Sequence, residues 1–193
     1  MRLEESQMFS LHEPVVLYHG SFCEVTTPDL ERCARYKDFG KGFYLTTDFA
    51  QAEAFAKITV RKSIANGTIA HTQNYGIVSH FEYTPRELMV HLFPTSDTNW
   101  LHCIVAHRMF GAFPDLIETY RQYDIIGGKI ANDATNITLT NYMTGAYGVM
   151  GTKTADDFCI GLLLPERLKD QYCFRTTKAL AQLKFLKSTR VWM

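Results

Sequence analysis

Apolar and polar positions along this chain fall into short, irregular blocks. Val15 to His19 is apolar and then polar, and Gly20-Ser21 closes it, which predicts a short buried strand. Gly42 to Thr46 reads as a second strand. Asp48 is placed to cap a helix, with Gln51 three residues on as in a capping box. Ala52, Phe55, Ala56 and Thr59 carry the helical spacing to about Lys62, and Asn66-Gly67 is a turn. Tyr75 to Tyr83 is strand-like, 94–99 is a polar loop, and Trp100 to Phe110 reads as a helix. Tyr123 to Ile126 predicts a strand ended by Gly127-Gly128. The stretch 131–157 mixes β-branched residues with glycines and predicts helices. Tyr172 to Arg175 reads as a strand. Thr177 then caps a final helix with Leu180, Leu183 and Leu186 on one face. Strands and helices without regular alternation predict an α+β fold rather than a doubly wound α/β one.

Composition narrows the picture. The chain has 193 residues, 46% hydrophobic, with Lys+Arg and Asp+Glu equal at 20 each. That length predicts one domain over 1–193, with 1–14 as an N-terminal extension. The apolar fraction excludes disorder, and the zero net charge argues against binding driven by the charge of nucleic acid or anionic membrane. Five cysteines without a C-x-x-C are not a disulfide framework and predict a reducing compartment. The start MRLEESQMF has acids where a signal peptide needs bases, so a cytoplasmic location is expected. The run Cys159 to Leu164 falls far short of the roughly 20 apolar residues that span a bilayer.

Several motif matches carry no chemistry. Asp38-Phe39-Gly40 spells a kinase metal-binding triplet, but the catalytic-loop H-R-D is missing. Gly40-x-Gly42 lacks the third glycine of a dinucleotide fingerprint and precedes a strand. Cys103 and His107 share a helix face, and two ligands do not make a zinc site, so no metal is expected.

Two segments are different. In Leu17-Tyr18-His19-Gly20-Ser21 a histidine ends a strand and a glycine bares the backbone to a ligand. In Lys37 to Asp48 two glycines one residue apart bend a loop that delivers Tyr44, whose ring can lie on a planar heterocycle. Lys37 and Lys41 bracket that loop, so a locally positive cleft fits inside the balanced total.

Together these segments resemble the ADP-ribosyltransferase superfamily, in the branch marked by His, Tyr and Glu on successive strands. Tyr18-His19-Gly20-Ser21 resembles the first element. Gly40-Lys41-Gly42-Phe43-Tyr44-Leu45 resembles the G-K-G-x-Y-[FL] element of poly(ADP-ribose) polymerases. Phe55 lies eleven residues after Tyr44, where those enzymes carry a second stacking aromatic. Gln171-Tyr172-Cys173-Phe174-Arg175 resembles the third element, with Gln171 in the place of the glutamate. YHGS, KDFGKGFYLTTD, YDIIGGKIAND and Q-x-x-F-x-T-x-K-A-L also resemble an uncharacterised bacterial domain-of-unknown-function family of that superfamily, over about 15–186.

The resemblance implies a split two-sheet β core with flanking helices and an NAD cleft. It implies a ribose contact for His19, a nicotinamide carboxamide contact for the Gly20 backbone, a stacking platform at Tyr44 and Phe55, and further contacts from Ser21 and Lys41. His19, Tyr44 and Gln171 would be the catalytic set. The implied activity is NAD-dependent mono-ADP-ribosyl transfer to an unknown protein or nucleic-acid acceptor. The implied setting is a bacterial toxin or effector neutralised by a small antitoxin-like protein. Gln171 can hold a hydroxyl but carries no charge and is no base. This leaves two alternatives: a weakened NAD- or ADP-ribose-binding module, and an NAD glycohydrolase. Asp38, Asp133 and Asp170 are the acids nearest the motifs. Ala52 departs from the serine that the polymerases often have.

Overall fold

The computed structural model describes residue 11 and residues 13–129, 133–163 and 169–193. Its elements run β1 (Val15–Ser21), β2 (Phe43–Leu45), α1 (Phe49–Ala65), β3 (Tyr75–Tyr83), β4 (Val90–Leu92), α2 (Thr98–Arg108), α3 (Pro114–Arg121), β5 (Ile125–Lys129), α4 (Asp133–Met143), α5 (Lys153–Leu163), β6 (Asp170–Phe174), α6 (Thr177–Leu180) and β7 (Leu183–Trp192). The strands form two sheets, ordered β1-β3-β7 and β2-β6-β5-β4, and only β4–β5 is parallel. The fold is α+β, as the pattern predicts. Among the described residues no helix is long and apolar enough to cross a membrane.

Strand alternation sorts the side chains into layers. Leu17, Phe43, Leu45, Phe81, Tyr172 and Phe174 join one buried cluster that draws on both sheets. Leu11, from the segment read as an extension, is buried with them. On β6 the next residues along the strand face the other way: Cys173 joins Phe39, Trp100, Cys103, Ile104 and Tyr142 in a second cluster against α2, α4 and α5. Ala52 and Ala56 of α1 bury against Val78 and Val191 of the first sheet. Among the described residues one antiparallel bridge joins the edges of the two sheets, Tyr18 to Thr46, with N–H to O distances of 2.8 and 3.0 Å.

Four expectations change. The strand expected to stop at Gly127-Gly128 runs through both, because each glycine lets bulk approach. A Cβ at Gly127 would lie 2.7 Å from the Tyr172 ring, and one at Gly128 would lie 3.1 Å from Phe39. The final helix is a single turn capped by Thr176, and Leu183 to Trp192 is a strand. Leu180, Leu183 and Leu186 have helical spacing, but Leu183–Trp192 pairs with β3 along its length and satisfies that strand's second edge. β4 and α3 answer to no element read from the pattern; each is short and begins after loop residues. The capping box forms by half. Asp48 accepts from Gln51 N at 3.2 Å, but Asp48 N donates to Thr46 Oγ1, and the Gln51 side chain also meets that hydroxyl. The first residues of the 131–157 stretch, 131 and 132, lie outside the described residues.

Candidate functional site

The bridge between the sheets organises the neighbourhood of the motif residues. Tyr18 directs its N–H and C=O at Thr46. Backbone groups two residues apart in a strand point the same way, so those of Gly20 face that same edge of β1. Among the described residues no further backbone bond joins β1 to β2 beyond the bridge. Gly20 itself is pressed on its other side by α1. A Cβ there would meet the Ala52 carbonyl oxygen at 2.0 Å and Ala56 N at 2.8 Å. Glycine is therefore required for the helix to pack, and Ala52 supplies the wall in question. Ser21 is buried, with its hydroxyl 3.9 Å from Cys23 Sγ.

His19 and Tyr44 are adjacent. His19 Nδ1 lies 2.8 Å from the Tyr44 carbonyl oxygen, and its ring tilts on Phe43 with centroids 4.2 Å apart. A carbonyl only accepts, so Nδ1 carries the hydrogen and Nε2 is left as an acceptor. Burial lowers the His19 pKa, and the carbonyl bond offsets this in part.

The Tyr44 hydroxyl is tied to the preceding loop. It donates to Gly40 O at 2.8 Å and accepts from Phe39 N at 3.0 Å. Burial, with smaller contributions from Cys173 and Asp38, raises its pKa well above the usual value, which keeps it a donor. Gly40 makes the turn at φ +84°. Gly42 lets β2 close on β6: a Cβ would lie 2.4 Å from Cys173 Sγ. The hydroxyl thus holds the ring in one orientation, and Tyr44 stays partly exposed.

Gln171 is the second residue of β6, pairs with Gly128 of β5 and is 6% exposed. Its Nε2 donates to Asp38 Oδ2 at 2.9 Å. Asp38, 5% exposed, accepts on Oδ1 from Arg108 Nε at 2.7 Å and also contacts Arg108 Nη2. Arg108 closes the α2 helix and reaches Asn136 Oδ1 at 2.9 Å as well. Of Asp38 and Asp170, the two of these acids whose side chains are described, Asp38 is the one joined to Gln171. Asp170 pairs with Lys129 at 3.2 Å. The side chain of Asp133 lies outside the described residues.

The other expected contacts are not joined to this group. Phe55 is 42% exposed and off the buried stripe of α1, and among the described residues no ring contact links it to Tyr44. Lys41 pairs with Glu31 at 3.2 Å, and Lys37 is exposed. Cys103 and His107 are buried together, and the His107 Nδ1–H donates to Cys103 O at 2.8 Å. Among the described residues no three ligand-type side chains gather as for a metal. The residue that sequence reasoning missed is Arg108. It lies 70 positions from Asp38, and only the folded chain joins them.

The chain belongs to a family described as "Protein of unknown function (DUF3990)", whose model matches residues 15–185. No curated protein matches it.

Proposed function

We propose that this chain is an NAD-dependent mono-ADP-ribosyltransferase acting on a macromolecular acceptor. The observation that supports the reading best is the backbone edge of Gly20, directed past the Tyr18–Thr46 bridge beside a partly exposed Tyr44. An N–H and a C=O on one glycine match the carbonyl and amine of a carboxamide, and a fixed tyrosine ring matches the pyridinium plane. His19, neutral and with no bond to Nε2 among the described residues, suits a ribose hydroxyl.

In this reaction the bond between the ribose anomeric carbon and nicotinamide nitrogen breaks. Nicotinamide leaves with the electron pair, and positive charge builds on the ribose, as in glycoside hydrolysis. The acceptor nucleophile bonds the anomeric carbon and loses a proton to solvent or a nearby base. The site's contribution is to fix the cofactor and orient acceptors toward the developing charge.

Incubation with NAD labelled in its adenylate portion, in a cell lysate, tests this. The wild-type chain is expected to label a macromolecule, and His19→Ala and Tyr44→Ala to abolish the label. Full labelling by both variants overturns the assignment.

A second reading has its own support. The Gln171 amide is engaged with Asp38, and no carboxylate occupies position 171. A module that binds NAD without cleaving it fits that arrangement. Calorimetric binding with no nicotinamide released over hours selects it, and free ADP-ribose as sole product selects hydrolysis.

A further inference from the structure

We propose that Asp38 is a positioning residue that fixes which way the Gln171 amide faces, so that Gln171 Oε1 is presented as the hydrogen-bond acceptor for a ribose hydroxyl. This rests on the reading of the site as an NAD site.

A glutamine amide has two faces of opposite character, two N–H donors and one acceptor oxygen. Unconstrained, it can turn either one toward a ligand. A glutamate has no such ambiguity, because both oxygens accept. Asp38 removes the ambiguity at position 171. An ionised carboxylate only accepts, so the Gln171 nitrogen must face it, as the 2.9 Å Nε2–Oδ2 bond records. Oε1 is then turned away from Asp38. Among the described residues no donor bonds to Oε1, and it is not among the buried polar atoms that lack partners.

Arg108 completes the device. Its guanidinium takes Oδ1 through Nε and Nη2, which fixes the carboxyl plane and leaves Oδ2 for Gln171. Arg108 in turn is anchored to Asn136 of α4. The chain from α4 through Arg108 and Asp38 to Gln171 therefore ends on one oriented oxygen at the start of β6. The glutamine keeps the acceptor half of what a glutamate offers and gives up the charge. The carboxylate one residue further out holds the amide rather than the substrate.

The experiment measures nicotinamide release from NAD, with kcat and KM separated, on the full chain. In Asp38→Asn the Asn amide can donate as well as accept, so Gln171 is free to turn. The expected result is a kcat lower by about tenfold with KM little changed. Gln171→Met leaves the Asp38–Arg108 pair intact and carries the same expectation, and it decides the matter if Asp38→Asn does not fold. The paired change Asp38→Asn with Gln171→Glu rebuilds the bond with donor and acceptor exchanged, and it is expected to recover the lost kcat. Gln171→Glu alone sets two carboxylates face to face and is expected to fall well short of the pair. A purely structural contact would lower the melting temperature in all of these without the kcat split or the recovery. Wild-type kcat in both Asp38→Asn and Gln171→Met overturns the inference and leaves the functional reading standing. Absence of nicotinamide release from the wild-type chain overturns the two together.

Discussion

Two carboxylates are buried almost to the same depth, Asp38 at 5% exposed and Asp156 at 2%, and they do different things. Asp156 sits within α5. It accepts from the Tyr142 hydroxyl of α4 through a short bond and lies 2.9 Å from His102 Nε2 of α2. The Tyr142 hydroxyl also accepts from Gly151 N at 2.9 Å, and His102 stacks on Phe113 with centroids 4.3 Å apart. Among the described residues these partners lie on α2 and α4 and in the turns beside them, so the network stays within the helical layer. Asp38 sits in a loop, and its partners lead outward, from an arginine on α2 to a glutamine on a strand that borders β2. Equal burial therefore does not imply equal surroundings. What distinguishes the two, on the reading proposed above, is where each hydrogen-bond chain ends.

The contrast can be broken most forcefully at Asp156. Asp156→Ala strands a buried tyrosine hydroxyl and a histidine, and it should cost about 3 kcal/mol of stability. Urea denaturation measures this, and nicotinamide release per folded molecule should not change. A fall in release per folded molecule would show that the helical network reaches the site after all. A smaller effect is expected at the loop. Tyr44→Phe removes the oxygen that serves both Phe39 N and Gly40 O, and should cost about 1–2 kcal/mol in the same assay. The ring remains, so NAD affinity measured by calorimetry should hold, unlike that of Tyr44→Ala.

The smallest effect is on pH dependence, and His80 and His91, whose pKa values burial also lowers, share in it. His19 and His107 both have lowered pKa values, chiefly because burial disfavours their charged forms. The unfolded chain then takes up the protons first. Their contribution is intact above the unfolded value of about 6.5 and is lost as pH falls below it toward the folded values. The urea midpoint should fall between neutral and mildly acid pH, and His107→Gln should flatten that fall.

How much of this was legible in the chain depends on the distance between partners. Asp48 and Gln51 announce a helix start because the cap is local. The Tyr75–Tyr83 strand was legible from β-rich composition and the stop before Pro85. The stretch Leu180 to Trp192 misleads, since Leu180, Leu183 and Leu186 at intervals of three mimic a helix face, and the competing strand from Leu183 is chosen by pairing with β3 about a hundred positions earlier. Tyr44 and His19 were legible as types within short motifs. Their mutual bond was not, and neither was the Asp38–Gln171 contact, whose members are 133 positions apart. No spacing rule reaches across such a gap. Phe55 had the right interval for a second stacking ring, yet an interval does not say which face of α1 turns inward. The inward face is decided by Ala52 and Ala56, the small residues that Gly20 admits.

The pairing of β2 with β6 carries a further consequence, for the order of folding. Tyr44 lies in the first quarter of the sequence and Gln171 in the last, and Leu45 pairs directly with Tyr172. Closing so long a loop yields nothing until both ends have met, which makes such contacts late events on the way to the native state. During synthesis β2 emerges long before its neighbour exists. The bridge at Tyr18–Thr46 can form early, but the Gln171 oxygen and its Asp38 support cannot. Completion of the second sheet and formation of the Gln171–Asp38 contact are one event, so a chain caught partway through folding holds Tyr44 in its loop before that contact exists.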